Sequence, residues 1–226
     1  MSNASPIVPA ATQRKPPSPG DPLARFGVGA AARRDLETFV ALLTEWQRVH
    51  NLVARGGLDE VWTRHVADSL QLLNYAPDFR EWVDLGSGAG FPGIVVAIAG
   101  KEFPGRHFTL VESNAKKAAF LRAAIRETGA NASVAAERIE VHAPRMAGRA
   151  DVISARALAP LVDLLALAQP YACPDTLMLL LKGREYLREV EAASQRFDFD
   201  VVDYASTTDS GGRVLAIRNV GPRAAP

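Results

Sequence analysis

The stretch Val83-Asp84-Leu85-Gly86-Ser87-Gly88-Ala89-Gly90-Phe91-Pro92-Gly93, VDLGSGAGFPG, decides the fold, because it joins a short apolar run to an apolar helical segment through a glycine-rich turn. Two patterns overlap in it. Read from Gly88 it is GxGxxG, the fingerprint of a dinucleotide site; read from Gly86, with Asp84 two residues ahead, it is DxGxGxG, which suits an adenosyl sulfonium compound. A dinucleotide rests its pyrophosphate on the helix amino terminus, and a carboxylate at Asp84 repels that charge. S-adenosyl-L-methionine has no phosphate and carries an ammonium, a carboxylate and a sulfonium. Gly86, Gly88 and Gly90 let the backbone turn tightly and approach a ligand without a Cβ in the way. Glu112 ends the next apolar run, where its carboxylate can accept both ribose hydroxyls, a feature that fits NAD as well.

Outward from this turn, short apolar runs alternate with helical patterns, as in an α/β fold whose mostly parallel sheet is covered on both faces. The spacing predicts strands near Trp82–Leu85, Phe108–Val111, Ala132–Ala135, Asp151–Ala155, Thr176–Leu181, Phe197–Tyr204 and Val214–Arg218. Helices are expected near Pro92–Ala99, Ala115–Thr128 with Gly129 as its stop, Leu161–Gln169 and Tyr186–Gln195. Ahead of them, Leu36, Phe39, Val40, Leu43, Trp46 and Val49 share one helical stripe. A second stripe runs through Val61, Trp62, His65, Val66, Ser69, Leu70 and Leu73. These two helices form a cap over residues 23–80, and the main domain spans 81–226. Residues 1–22, with prolines at 6, 9, 16, 17, 19 and 22, read as a flexible tail.

Composition narrows the function classes. The 226 residues suffice for one domain with an appended element, and no apolar run approaches membrane-spanning length or forms a signal core. A single cysteine, Cys173, has no cysteine partner for a disulfide or a metal site, so a cytoplasmic location is expected, with Cys173 as a buried apolar residue. A net charge of +1 argues neither for nor against a polyanionic partner.

Further motifs occur in a fixed order: Trp46-Gln47-Arg48-Val49-His50-Asn51-Leu52-Val53, Arg64-His65-Val66-Ala67-Asp68-Ser69-Leu70, the glycine turn, Glu112-Ser113 followed by Lys116-Lys117-Ala118-Ala119-Phe120-Leu121, Arg138-Ile139-Glu140, Ser154-Ala155-Arg156-Ala157-Leu158-Ala159-Pro160-Leu161, and Lys182-Gly183. In this set the chain resembles the RsmG (GidB, glucose-inhibited division protein B) family of bacterial 16S ribosomal RNA guanine-N7 methyltransferases. The resemblance runs from about Phe39 to Lys182. It implies a Rossmann-like class I methyltransferase fold with a seven-stranded, doubly wound sheet, S-adenosyl-L-methionine as cofactor, and 16S ribosomal RNA or a small-subunit assembly particle as partner. No membrane, no DNA and a monomeric state are expected. Guanine N7 attacks with an in-plane lone pair and loses no proton, so no general base, covalent intermediate or metal is expected.

Carried over by motif, the resemblance implies cofactor contacts from Asp84, Gly86, Gly88, Gly90, Phe91, Glu112, Ile139, Glu140 and Arg156. Residue by residue, Phe91 either flanks the cofactor or packs on the core, and Ile139 either faces adenine or is a buried strand-end residue. Arg156 follows the fourth strand at the carboxyl edge of the sheet, where it can hold the cofactor carboxylate, an RNA phosphate or a surface ion pair. On the cap, the resemblance implies that Arg64, His65, Asp68 and Ser69 border the site and enclose substrate and cofactor, although a His beside an Asp is also an ordinary hydrogen-bonded pair. Lys182 contacts RNA or a site carboxylate, or is simply solvated. Two other functions use the same residues: an NAD-dependent oxidoreductase and a non-catalytic RNA-binding assembly factor.

Overall fold

The computed structural model describes residues 23–53 and 58–223, so the proline-rich segment 1–22 lies outside the described residues. Among the described residues seven strands form one sheet: β1 (Glu81–Leu85), β2 (His107–Val111), β3 (Ala132–Ala135), β4 (Ala150–Arg156), β5 (Ala172–Lys182), β6 (Phe197–Ala205) and β7 (Arg213–Pro222). Their order is β3-β2-β1-β4-β5-β7-β6; β1 to β5 run parallel, and β7 enters antiparallel between β5 and β6. The chain builds outward from β1 to β3, then returns to place β4 on the other side of β1. That reversal opens a crevice at the carboxyl ends of β1 and β4, the position where open α/β sheets take ligands.

Side-chain alternation along β1 divides the core. Trp82 belongs to the apolar cluster on one face and Val83 to the cluster on the other. The first face is covered by α1 (Ala30–Gln47), α3 (Gly93–Gly100) and α4 (Ala115–Thr128); the second by α5 (Ile139–His142), α6 (Leu161–Ala168) and α7 (Tyr186–Ser194). Helix α4 starts where Asn114 Oδ1 accepts the amides of Lys116 and Lys117. It stops at Gly129, which adopts φ 64°, as expected from the sequence.

The amino-terminal helices share this core. Leu36, Phe39 and Leu43 of α1 pack in the cluster that holds Ile94 and Phe120. Two expectations need correction here. Val49 lies beyond the end of α1 and is 78% exposed, so the buried stripe closes before it. The second helix is not uniform: residues Val61–Val66 are wound as a π-helix, Ala67–Leu70 (α2) as an α-helix and Gln71–Asn74 as a 3-10 helix. The changes of pitch keep Val61, Val66, Leu70 and Leu72 buried while turning His65 and Asp68 toward the end of β4. Among the described residues, no helix is long and apolar enough to cross a membrane.

Candidate active site

Asp84 answers the question posed by the glycine turn, from beneath it. Its register places it opposite Ser154 on β4, and the Ser154 hydroxyl donates to Asp84 Oδ1 at 2.6 Å. The amide of Gly93, the first residue of α3, donates to Asp84 Oδ2 at 3.1 Å. The position a pyrophosphate would take at the helix amino terminus is thus met by the chain's own carboxylate. Asp84 is fully buried and lines neither cavity beside the turn; its place in the structure is beneath the turn, which it braces.

Burial pushes the Asp84 carboxyl from 3.8 up to about 6, even though the bonds from Ser154 and Gly93 favour its charged form. Raised above its unfolded value, this carboxyl contributes stability that is fully present below about pH 4 and is lost as pH rises through about 6. Asp84→Asn removes that ionisation. Between pH 4 and 6 the wild type should lose stability relative to the variant, by at most about 1.4 kcal/mol per pH unit. Denaturant unfolding across this range checks it; parallel profiles would contradict the raised value.

Above the turn, a continuous trough follows the carboxyl edge of the sheet. At one end a cavity of about 380 Å3 is lined by Gly86, Gly88, Glu112, Ile139, Glu140 and Leu158. In it, Glu112 Oε2 accepts the Gly88 amide at 2.8 Å and Oε1 accepts the Asn114 amide at 2.7 Å. The acid at the end of β2 and the glycine turn at the end of β1 are therefore joined directly. Ile139 opens α5, and its carbonyl accepts the Tyr171 hydroxyl at 2.9 Å, which fixes this wall of the cavity.

The three glycines do different jobs. Gly88, at φ 56°, has nothing closer to an added Cβ than the Gly86 carbonyl at 3.7 Å, so its Cα faces open space in the trough. At Gly86 an added Cβ would meet Leu158 Cδ1 at 2.6 Å, so that glycine makes room for a protein side chain as well as lining the cavity. Gly90 faces Ile94 and Phe39 and lines neither cavity beside the turn, so its missing Cβ makes room for the core.

The trough continues into a cavity of about 590 Å3 between the turn, Phe91, Arg156 and the π-helical segment. Phe91 is 5% exposed; it packs edge-on against Phe39, as the core reading expected, and also lines the cavity. The Arg156 guanidinium lies 5.2 Å from the Phe91 ring centroid. It donates to His65 Nδ1 at 2.9 Å and pairs with Asp68 Oδ2 at 3.8 Å. Arginine offers only donors, so Nδ1 accepts and the imidazole is neutral with its proton on Nε2. Burial first, then the Arg156 and Arg64 charges, hold His65 down to about 4, which agrees. Just beyond, Ala157 adopts φ 51°, a left-handed conformation rare outside glycine and common where a site imposes strain.

A third cavity of about 570 Å3 lies on the far side of Arg156, bounded by Arg64, His65, Asp68, Leu158, Lys182 and the 206–213 segment. Arg64 lines both this and the central cavity; it pairs with Glu60 while 60% of its side chain is exposed. Lys182 donates to Glu189 Oε2 at 2.6 Å and to the Ala159 carbonyl at 2.8 Å, so its partner is a carboxylate of the chain itself. Ser69 is buried and bonds back to the His65 carbonyl, so it faces its own helix, not a substrate. Cys173 is half-buried, more open than the sequence suggested.

Sequence reasoning did not single out Ala157, Leu158, Gln71 or the 206–213 segment. The first two fall inside a quoted motif. The last carried only a turn signal in Ser210-Gly211-Gly212.

Comparison with known proteins agrees with this geometry. The family described as GidB, rRNA small subunit methyltransferase G, matches residues 32–216. The chain is 48% identical over 191 residues to a ribosomal RNA small subunit methyltransferase G of Rhizobium meliloti, covering 83% of this chain and 89% of that one. It is 47% identical over 198 residues to the protein of that name in Cereibacter sphaeroides, covering 87% and 95%. Among solved structures, an O-methyltransferase from Bacillus cereus in complex with SAH superposes with a TM-score of 0.55 at 12% identity, covering 84% of this chain and 91% of that one, a likeness of fold.

Proposed function

Because the chain belongs to the GidB family, rRNA small subunit methyltransferase G, we propose that it transfers a methyl group from S-adenosylmethionine to N7 of a guanine in 16S ribosomal RNA. The observation that carries the cofactor assignment is the join between Glu112 and Gly88 above a helix terminus already occupied by Asp84. The residues fit the cofactor. Glu112 retains lone pairs for ribose hydroxyls, the Gly88 face is open, Val111, Ile139 and Leu158 offer apolar surface for adenine, and Arg156 is a cation for a carboxylate. When bound, the cofactor supplies an electrophilic methyl on a positively charged sulfur, which a guanine N7 lone pair can take without surrendering a proton.

The protein's part is therefore placement and exclusion of water. Glu112 and the turn fix the nucleoside end. Phe91, braced by Phe39 and His65, forms an apolar wall of the central cavity. Arg156, held by His65 and Asp68, stands between the central and third cavities, where it can meet the cofactor carboxylate or an RNA phosphate. Arg64 stands exposed beside it for phosphate contact. The acceptor is naked RNA or an assembling small-subunit particle, and the enzyme works as a cytoplasmic monomer.

The test is incubation with labelled S-adenosylmethionine and undermodified 30S particles or their RNA. Label should pass to the RNA. Cofactor binding without transfer would favour a non-catalytic assembly factor, and preferential binding of NADH in calorimetry would restore the dinucleotide reading.

A further inference from the structure

The segment between β6 and β7 is tied to the cap by a cluster of polar side chains that the methyl-transfer chemistry leaves unused. Gln71 is fully buried, and its Nε2 donates to Asp68 Oδ1 at 2.6 Å and to Ser206 Oγ at 3.3 Å. Gln71 Oε1 accepts the Thr207 amide at 3.1 Å. The hydroxyls of Ser206 and Thr208 both donate to Asp68 Oδ1, at 3.1 and 2.8 Å. The segment is closed on itself as well, since the Ser206 amide donates to the Gly212 carbonyl and the Gly212 amide to the Asp209 carbonyl, both at 3.0 Å.

Burying a glutamine amide is expensive unless its polar atoms find partners, and here, besides Asp68 three residues away, the partners come from residues about 135 positions away in the chain. The contacts fix one placement of the 206–212 loop. That placement makes Ser206, Thr208 and Asp209 part of the lining of the third cavity, together with Leu158 and Pro160. Its volume of about 570 Å3 is of the size that takes a small organic molecule, roughly 300–1,000 Å3. Asp68 Oδ2 meanwhile faces Arg156, so the clamp is continuous with the partition between this cavity and the one against the glycine turn.

We propose that the 206–212 loop is the outer wall of the acceptor-nucleotide site, and that Gln71 and Asp68 are positioning residues that hold it there. This rests on the methyltransferase reading and assigns Asp68 to the loop, where the motif suggested substrate contact. The apolar surface of Leu158 and Pro160 then receives a base face, and the loop sets how far the nucleotide can enter. Residues of the 206–212 loop line the third cavity and none of them lines the nucleoside cavity, so its loss should act chiefly on RNA.

The test uses the full chain with Gln71→Ala, and Thr208→Val as a milder variant that removes one bond to Asp68 in case the first does not fold. Calorimetry gives the S-adenosylmethionine Kd; steady-state methylation of 30S particles gives KM for RNA; filter binding gives RNA affinity without turnover. For Gln71→Ala the cofactor Kd should stay within about two-fold while KM and the RNA Kd rise about ten-fold; Thr208→Val should show the same split at smaller scale. Unchanged RNA values in a folded variant, or a parallel rise in the cofactor Kd, would overturn the proposal. Failure of the methyltransferase reading would show differently, as absence of transfer by the wild-type protein.

Discussion

Glu112→Ala should raise the dissociation constant for S-adenosylmethionine by about ten-fold or more, while the protein remains folded. In the wild type Glu112 is 8% exposed and its two oxygens each accept a backbone amide, which pins the carboxylate beside the nucleoside cavity that the residue lines. A hydrogen bond to a charged group contributes about 1.5–3 kcal/mol, so losing acceptors for the ribose hydroxyls accounts for at least that factor. The variant also frees the Gly88 amide, which loosens the turn in the same direction. Glu112→Gln should fall between the two, because its NH2 must face one of the two amides. Calorimetric titration checks the series; an unchanged affinity in folded Glu112→Ala would remove this residue from the site.

Gly88→Val should abolish methyl transfer, with a loss of about a hundred-fold or more, since two penalties of a few kcal/mol in total act together. Gly88 sits at φ 56°, where a side chain costs roughly 1–2 kcal/mol and a β-branched one more. The new side chain would project into open trough, since nothing lies within 3.7 Å of its Cβ. Protein neighbours therefore tolerate the Cβ, and a ligand does not. Gly88→Ala should retain more activity than Gly88→Val. Full transfer by the valine variant would mean that the turn does not approach the cofactor.

Much of the fold was legible because its signals are local. Alternating apolar runs located all seven strands, and Gly129 located the end of α4, since each depends only on nearby residues. The turn was legible as a turn, but its glycines were not separable. A glycine pattern reports a backbone need for positive φ and says nothing of what faces the missing Cβ. That depends on Leu158 for Gly86 and on Ile94 and Phe39 for Gly90, residues set by tertiary packing. The bracing role of Asp84 was illegible for a related reason: strand period shows that it lies near the end of β1, whereas its partners Ser154 and Gly93 depend on tertiary placement, Ser154 on β4 pairing beside β1. The changing pitch from Val61 to Asn74 escaped periodicity, which assumes one pitch, and with it the separation of Asp68 from Ser69. The 206–212 loop has no pattern of its own; its place in the site comes from Gln71 and Asp68.

Methylation of a ribosomal guanine at N7 is read from the atom that is modified. Undermodified 30S particles are treated with the enzyme and S-adenosylmethionine, and the 16S RNA is then reduced with borohydride and cleaved with aniline, which breaks the chain at N7-methylguanosine. The expected result is one new cleavage site at a guanine, dependent on enzyme and cofactor and absent with Gly88→Val. Label incorporated into the RNA without such cleavage, or cleavage at many guanines, would contradict a site-specific N7 transfer.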